Sequence, residues 1–310
     1  MITRRKFLKR LGQLFIGGIA LGGYSVGIEP MRLRVQNYNL TPPRWPADLR
    51  LKVAALADIH ACRPWMSPER IRYIVEATNA LEPDIIVLLG DYSTGHPWVT
   101  EYVHSKDWSK ALTGLNAPLG THAIMGNHDW WEDRAAQRRG AGPVFGHVAL
   151  QRAGIPVYEN HAARLEKDGR PFWLAGLGDQ LALLPYRRYG RSAWQGADDL
   201  YGTLNKITDD APVILMAHEP DIFPRIPDRV SLTLAGHTHG GQVRMFGYSP
   251  VVPSRYRNRY AYGHIIEHDA DMGLLPRHMV VSGGLGNSIM PVRLGVPPEI
   301  VVLNLGGTET

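Results

Sequence analysis

The sequence contains very little cysteine, since Cys62 is the only one among 310 residues. A single thiol cannot form a disulfide bond within the chain, and it cannot build a cysteine-based zinc site or a redox pair of cysteines. The chain also lacks internal repeats and low-complexity segments, although 33 glycines and 23 prolines predict many loops. Any metal site must therefore use histidine, carboxylate and amide ligands.

Beyond its first ten residues, the chain has no excess of charge of either sign. The formal net charge is +5, from 34 Lys and Arg against 29 Asp and Glu. The first ten residues, MITRRKFLKR, carry five basic residues and no acidic one, so the rest of the chain sums to zero. Binding to nucleic acid needs a local excess of Lys and Arg to neutralise phosphates. The sequence therefore predicts no nucleic-acid partner.

The N-terminal segment is typical of an export signal. Residues 3–9, TRRKFLK, resemble the twin-arginine export consensus, and the apolar run LGQLFIGGIALGGYSVGI follows them. This run is about long enough to cross a bilayer, and no clear A-x-A cleavage site follows, so a retained membrane anchor is an alternative to a cleaved signal. We expect residues 1–28 to engage the twin-arginine export machinery and to place the protein on the periplasmic or extracytoplasmic face, close to the cytoplasmic membrane.

The remaining chain predicts one α/β domain. Residues 29–48 contain several prolines and are expected to be an irregular linker, and residues 49–310 are expected to form the domain. The apolar runs LKVAAL, DIIVLLG and THAIM predict three buried strands. Later segments predict further strands, namely IPVYEN, HAARL, RPFWLAG, APVILMA, VSLTLAG, HMVVS and EIVVLNL. The residues EKDGR predict a hairpin turn before RPFWLAG.

One helix is marked by its cap and its periodicity. The segment SPERIRYIVEATNALEP offers Ser67 as a capping residue and Pro68 for the first turn. Its apolar and small residues recur on one face at Ile71, Ile74, Val75 and Thr78. A helix between buried strands predicts a layered α/β fold, and the number of strands suits two sheets flanked by helices.

Five of the predicted strands stop at residue types that bind metal ions. These residues are Asp58, His60, Asp91, Asn127, His218, His237 and His239. Each one alone is common at a strand end, since Asp forms turns, Asn tolerates left-handed backbone and His is often a hydrogen-bonded polar group. Because α/β folds place their sites in loops at the carboxyl ends of strands, the set as a whole predicts one metal cluster.

The motifs DIH, GD, GNHD and GHTHGGQ, with the isolated His218, resemble the calcineurin-like metallophosphoesterase superfamily. The resemblance covers about residues 51–305 and is greatest to the twin-arginine-exported YaeI/YkuE-type phosphodiesterase branch. It implies a four-layer α/β/β/α sandwich that holds two divalent metal ions. It assigns Asp58, His60 and His239 to one ion, Asn127, His218 and His237 to the other, and Asp91 to both. Mixed nitrogen and oxygen ligands suit Mn, Fe, Zn or Co, and the sequence does not select among these metals.

The resemblance also implies roles around the metal pair. A hydroxide supplied by the metals would attack phosphorus. His128 would face the substrate phosphate or protonate the leaving oxygen, and Asp129 would orient His128. Arg259, in the basic segment SRYRNRY, and Arg293 are candidate substrate-binding residues, although a solvated surface is the alternative for both.

We expect from these features a metal-dependent phosphoester hydrolase, with phosphodiesters as the expected substrates. The extracytoplasmic location suggests phospholipids or UDP-diacylglucosamine-like lipids. A non-catalytic envelope or cell-wall-binding protein on the same scaffold is the alternative, although all seven candidate ligands and His128 are present. A nuclease-type phosphodiesterase is disfavoured because the chain beyond its N-terminus has no net positive charge.

Overall fold

The computed structural model describes residues 3–268 and 275–307. Its strands are β1 (Arg34–Leu40), β2 (Leu51–Leu56), β3 (Cys62–Arg63), β4 (Ile85–Leu88), β5 (Glu101–Tyr102), β6 (Thr121–Ala123), β7 (His161–Lys167), β8 (Arg170–Gly176), β9 (Val213–Met216), β10 (Leu232–Ala235), β11 (Gly263–Glu267), β12 (Arg277–Val281) and β13 (Glu299–Leu305). Its α-helices are α1 (Arg4–Gly27), α2 (Pro68–Asn79), α3 (Ser105–Leu112), α4 (Asn127–Trp131), α5 (Arg134–Arg139), α6 (Phe145–Arg152) and α7 (Leu200–Leu204). Short 3₁₀ helices cover Glu29–Met31, Arg187–Tyr189, Pro220–Arg225, His239–Gly241 and Arg257–Tyr260.

Two sheets carry the fold. The first has the strand order β1-β13-β2-β4-β6, and the second has the order β11-β12-β10-β9-β8-β7. In the first sheet β2, β4 and β6 run parallel to one another, and in the second β8, β9, β10 and β12 do so. The carboxyl ends of the parallel strands within each sheet therefore lie at one edge.

The two sheets pack face to face and are covered by helices on their outer faces. Between the sheets, Val53 and Val87 of the first sheet share a buried cluster with Leu174 and Ile214 of the second. Alternate residues of the first sheet turn outward to α2 and α3, and those of the second turn outward to α7 and the 3₁₀ helix at Pro220–Arg225. The α/β/β/α four-layer sandwich predicted from the sequence is confirmed.

Two local predictions are also confirmed. Helix α2 begins after Ser67, whose side chain accepts a hydrogen bond from the backbone N–H of Arg70 (3.3 Å), and its buried residues are the four predicted ones. Strands β7 and β8 form an antiparallel hairpin, and its turn residues Asp168 and Gly169 both have positive φ (52° and 75°). Two-residue turns of this kind match the twist of the strands that they join.

Two other local predictions are wrong. The stretch 29–48, expected to be irregular, contains β1, which pairs in parallel with β13 from Arg34 opposite Glu299 to Leu40 opposite Leu305. The segment IPVYEN, predicted to be a strand, contributes only the single bridge between Val157 and Ala123. Both errors concern pairing with distant segments, which local apolar patterns do not report.

Helix α1 is long, apolar and exposed. By length and composition it could cross a membrane, although a signal sequence passes the same test. Only Ser25 of its residues is buried. The carbonyl of Ser25 accepts a hydrogen bond from the Arg293 backbone N–H (2.9 Å), and the carbonyl of Val26 accepts one from the Trp65 indole (3.0 Å). The last turn of α1 is thus attached to the sandwich.

Candidate metal centre

The candidate ligands lie where strand ends of both sheets meet. Hydrogen bonds join neighbouring ends within each sheet: the backbone N–H of Asp58 donates to the Gly90 carbonyl (3.0 Å), and that of Gly236 donates to the His218 carbonyl (3.0 Å). A bond between the sheets runs from the backbone N–H of His237 to Asp58 Oδ1 (2.9 Å). The loops that follow β2, β4, β6, β9 and β10 therefore form one site.

One group of side chains that could hold a metal ion consists of Asp58, His60 and His239. The Nε2 atoms of the two histidines lie 3.1 Å apart, and His239 Nε2 lies 3.8 Å from Asp58 Oδ1. The other ring nitrogen of His60, Nδ1, donates a hydrogen bond to the carbonyl of Ser93 (2.9 Å). Because a carbonyl only accepts, this bond places the ring proton on Nδ1 and leaves the Nε2 lone pair facing the cluster.

A second such group consists of Asp91, His218 and His237, with Asn127 beside it. The Nδ1 atom of His218 donates to the carbonyl of Leu89 (2.7 Å), and its Nε2 lies 3.2 Å from both Asp91 Oδ2 and Asn127 Oδ1. His237 Nδ1 lies 2.8 Å from the same amide oxygen of Asn127. All seven sequence-predicted ligands are thus brought together.

Asp91 faces both groups. Its Oδ2 atom lies 3.2 Å from His218 Nε2 in the second group and 3.5 Å from His60 Nε2 in the first. Its other oxygen, Oδ1, accepts a hydrogen bond from the backbone N–H of His128 (2.8 Å), which fixes the carboxylate between the two groups. This position is the one expected for the shared carboxylate.

The backbone is strained at most of these residues. The φ angle is positive at Asp58 (55°), His60 (45°), Asp91 (58°), His237 (67°) and His239 (51°). This left-handed region is uncommon for residues other than glycine, and strained positions of this kind cluster at functional sites. The two histidines of GHTHGGQ each join a different group.

The donor chemistry of the site fits metal ions. Carboxylate, amide and imidazole acceptor atoms face one another in a buried space, an arrangement that is unfavourable unless a cation or a proton lies between them. Among the described residues, Asp58 Oδ2 has no hydrogen-bond donor although it is fully buried. Nitrogen and oxygen donors without thiolate are a set that Mn, Fe, Zn and Co accept.

The protein's own groups show the same electrostatic frustration. Burial raises the pKa of Asp58 to about 7, against the opposing effect of His218. Burial lowers the pKa of His60 to about 3. Burial also disfavours charge on His218 and Asp91, but their mutual attraction prevails, so that the pKa of His218 is raised and that of Asp91 is lowered.

His128 lies at the side of the cluster. Its Nε2 atom is 3.3 Å from the hydroxyl of Ser288, and its Nδ1 atom is 3.9 Å from the carboxylate of Glu132, one helical turn later. Burial alone would lower the pKa of His128, but the carboxylates of Asp91, Glu132 and Asp129 outweigh it and raise this pKa. The i, i+4 spacing of His128 and Glu132 was the available sequence signal for this pair, and sequence reasoning missed it.

The carboxylate of Asp129 is held by backbone N–H groups. It accepts hydrogen bonds from the backbone N–H groups of Asp91, Tyr92, Ser93 and Gly126, at 3.0–3.1 Å. These bonds tie the loop after β4 to the start of α4. The Asp129 carboxylate therefore positions the loop that carries Asp91, and the expectation that it orients His128 stays a prediction.

The two arginines predicted to bind substrate have other partners. Arg293 is fully buried, and its guanidinium donates to the carbonyls of Gly283 and Val296 and lies 3.3 Å from His239 Nδ1. Arg259 is exposed, forms an ion pair with Glu267 (2.5 Å), and lies in a different depression from the cluster. Neither arginine lines the cleft beside the cluster, and substrate binding by either one stays a prediction. Arg293 supports the site from behind.

A third buried group lies behind His218. It consists of Asp179, His218 and Glu219, and this set could also hold a metal ion. Burial and the adjacent Glu219 raise the pKa of Asp179 well above its ordinary value, which favours the protonated form of this carboxyl group. Sequence reasoning missed Asp179 and Glu219, because their proximity depends on the packing of β8 beside β9.

The cluster opens into a cleft of about 550 Å³. At one end of the cleft are the polar groups of Asp91, Asn127, His128, His237 and His239. Most of the remaining wall is apolar and includes Trp131, Val243, Pro250, Val251, Pro253 and Val292. The cleft therefore combines a small polar end with a large apolar wall, which suits an amphiphilic ligand.

Comparison with known proteins places this site in a family. The family model for calcineurin-like phosphoesterases matches residues 51–241. The uncharacterized metallophosphoesterase YkuE of Bacillus subtilis is 29% identical over 315 residues, covering 99% of each chain. Phosphodiesterase YaeI of Escherichia coli is 28% identical over 314 residues, covering 98% of this chain and all of that relative. A transmembrane protein with metallophosphoesterase domain from Danio rerio is 28% identical over 200 residues, covering 62% of this chain and 41% of that protein.

The chain belongs to the calcineurin-like phosphoesterase family, because the family model matches more than half of it. This confirms the resemblance drawn from the sequence motifs. It also supports the prediction of a metal-dependent phosphoester hydrolase, since relatives that match nearly the whole chain carry metallophosphoesterase and phosphodiesterase names.

Proposed function

We propose that this protein is a phosphodiesterase that uses two divalent metal ions. The observation that carries the proposal is the convergence of seven buried or nearly buried ligand side chains into two adjoining groups. One ion would be held by Asp58, His60 and His239, the other by Asn127, His218 and His237, with Asp91 shared between them. Two such cations supply Lewis acidity and a nucleophile at neutral pH.

The protein's own residues would then handle the substrate phosphate. His128 borders the cleft, and the neighbouring carboxylates raise its pKa, which favours its protonated form. From this position the ring can donate a hydrogen bond to a phosphate oxygen or transfer its proton to the leaving oxygen. Glu132 lies on the opposite side of the ring and would keep it oriented.

The location and the substrate class extend this proposal. Residues 1–28 would be a twin-arginine signal or anchor, and residues 49–310 the catalytic domain on the extracytoplasmic face. The apolar wall of the cleft favours a phosphodiester that carries apolar groups, so phospholipids and UDP-diacylglucosamine-like lipids are the candidate substrates. The similarity to phosphodiesterase YaeI supports the diester preference.

The test is hydrolysis of bis-p-nitrophenyl phosphate and p-nitrophenyl phosphate by protein loaded separately with Mn, Fe, Zn or Co. We expect hydrolysis of the diester with at least one metal. His128→Asn should lower kcat about 100-fold with an unchanged metal content, because the side chain is not needed as a ligand. Asp91→Asn should lose bound metal together with activity.

The matched control is His104→Asn, which changes an exposed histidine outside the cleft and should leave kcat unchanged. Failure of every metal form to hydrolyse either ester would reject the enzyme and favour the envelope-binding alternative. Equal losses of metal in His128→Asn and Asp91→Asn would reject the separate role of His128.

A further inference from the structure

An apolar surface adjoins the cleft. Six large side chains, each more than half exposed, lie in two neighbouring loops. We call them the apolar rim, and they are Met245, Phe246, Tyr248, Val251, Ile289 and Met290. Val251, Ile289 and Met290 also line the cleft. The rim is therefore continuous with the apolar wall that leads to the metal cluster.

The backbone holds part of this rim outward in an unfavourable conformation. Phe246 has φ of 52° and Ile289 has φ of 62°. A β-branched residue in this left-handed region is an outlier, and such strain persists where the surrounding structure imposes it. Clusters of exposed apolar side chains on a protein surface mark an interaction site. Both features indicate that the rim contacts something apolar.

The rim is attached to the apolar helix α1. The backbone N–H of Arg293 donates to the Ser25 carbonyl in the last turn of α1 (2.9 Å). Ile289 and Met290 lie a few residues before Arg293, and the backbone N–H of Arg244, next to Met245, donates to the Leu294 carbonyl (2.7 Å). Both loops of the rim are thus connected to the end of α1 through one short segment.

The length of α1 places that end near a lipid–water boundary. The uncharged run from residue 11 to residue 28 is about 27 Å long as a helix, which is close to the roughly 30 Å hydrocarbon thickness of a bilayer. The basic residues before it would remain on the cytoplasmic side. When α1 spans the membrane, Ser25 lies near the outer surface, and the rim lies beside it.

We propose that the apolar rim rests in the outer leaflet of the membrane that holds α1, so that the cleft receives its substrate from the lipid surface. The occupant of the rim is a phospholipid bilayer, and the ligand of the cleft is a phosphodiester with apolar chains. The ligand part of this inference rests on the proposed phosphodiesterase function. The apolar wall would contact the chains, and the polar end would contact the phosphate.

The depth of the rim can be measured on the full-length protein. Phe246→Cys carries a nitroxide spin label, and Cys62 does not compete for the label because it is buried. Tyr201→Cys, on α7 and 60% exposed in the native chain, is the matched control. In vesicles of phosphatidylethanolamine and phosphatidylglycerol, the label at position 246 should relax with oxygen more than with an aqueous nickel chelate, and the control should show the reverse. Equal access of the nickel chelate to both labels would overturn the proposal.

An activity comparison separates the rim from the catalytic site. Phe246→Asn keeps a residue that tolerates positive φ, so the loop conformation should persist. Hydrolysis of soluble bis-p-nitrophenyl phosphate should be unchanged, because Phe246 does not line the cleft, whereas hydrolysis of a long-chain phosphodiester in vesicles should fall at least tenfold. The Phe246→Trp variant, which keeps a large apolar side chain, should hydrolyse the vesicle substrate as fast as the wild type. Equal hydrolysis of the vesicle substrate by the wild type and both variants would contradict membrane contact by the rim. If no form hydrolysed bis-p-nitrophenyl phosphate, the proposed phosphodiesterase function would be rejected. The spin-label measurement would still test the membrane contact of the rim in that case.

Discussion

Arg293 is a charged residue that the fold has enclosed among backbone carbonyls. Its guanidinium donates to Gly283 and Val296 and also reaches the ring of His239. A buried charge held by several hydrogen bonds leaves its partners unsatisfied when it is removed. Arg293→Met should therefore lower the free energy of unfolding by about 3 kcal/mol, as measured by urea denaturation.

The control for this change is Arg259→Met, because Arg259 is exposed and pairs with Glu267 at the surface. Its loss should cost less than about 1 kcal/mol. A substrate-binding role for Arg293 instead predicts that Arg293→Met has unchanged stability and a higher KM. That outcome would show that the buried position described here is wrong.

His122 should make the protein sensitive to acid. Its Nε2 donates to the Leu119 carbonyl (2.8 Å), and its Nδ1 accepts from the Tyr158 hydroxyl (2.9 Å). Burial lowers the pKa of His122 below its ordinary value. In the unfolded chain the histidine pKa is about 6.5, so the unfolded chain binds more protons than the folded one as the pH falls. The stability that neutral His122 contributes is therefore complete above about pH 6.5 and is lost as the pH falls below that value.

The measurement is the free energy of unfolding at pH 7.5 and pH 5. His122→Gln should lose less stability between these two values than the wild type, because glutamine does not titrate. His104→Gln, which changes an exposed histidine, should follow the wild type. If His122→Gln and the wild type fall by equal amounts, protonation of His122 is not coupled to unfolding.

At the scale of elements, the site depends on the close approach of the loops that follow β4 and β6. A Cβ atom at Gly126 would lie 2.4 Å from Asp91 Oδ1 and 2.6 Å from the Asp91 backbone nitrogen. Neither group can move without disturbing the cluster. Gly126→Ala should therefore lower the free energy of unfolding by about 2 kcal/mol, and it should weaken Mn²⁺ binding at least tenfold by titration calorimetry.

Gly146→Ala, at the start of α6, is the matched glycine substitution. Its Cβ would meet Met125 and Trp108 at 3.6 Å, which is an ordinary contact. Alanine is also favoured over glycine inside a helix. This variant should keep its metal affinity and its stability. A Gly126→Ala protein with normal Mn²⁺ binding would show that the strand ends have more space than the structure gives them.

Elements that are specified by local signals could be predicted from the sequence. Helix α2 has its cap at Ser67 and its buried face within twelve residues, and the β7–β8 turn is specified by Asp168 and Gly169. Strand β1 could not be predicted, because its partner Glu299 lies at the other end of the chain. A polar strand becomes recognisable only through such distant pairing.

The same distinction applies to the site. The seven candidate ligands could be predicted because each follows a recognisable strand, and the strand ends of a layered fold converge. The partners of those ligands could not be predicted. The four backbone donors to Asp129, the burial of Arg293 and the contact of Asp179 with Glu219 depend on packing between segments far apart in the sequence. Arginine in particular is seldom fully buried, so its residue type predicts an exposed position for Arg293 and not the buried one that is observed.

At the scale of the whole molecule, α1 is the element that the sandwich does not cover. Its apolar side chains are exposed along most of its length, which is unfavourable in water and is typical of a signal sequence or a membrane anchor. The sandwich itself has its layers and its site in place without α1 packed between them. This division suits a protein that folds before it crosses a membrane.

The proposed export by the twin-arginine route makes a specific prediction for Arg4 and Arg5. The pair begins α1, and Thr3 caps the helix by accepting from the backbone N–H of Lys6 (3.4 Å). Lysine keeps the charge but lacks the planar, five-donor guanidinium group. Arg4→Lys with Arg5→Lys should therefore leave the protein in the cytoplasm, as measured by fractionation and by its resistance to protease added to spheroplasts. The control Arg10→Lys, which lies outside the motif, should be exported normally. Normal export of the double variant would mean that α1 directs the chain by another route or serves only as an anchor.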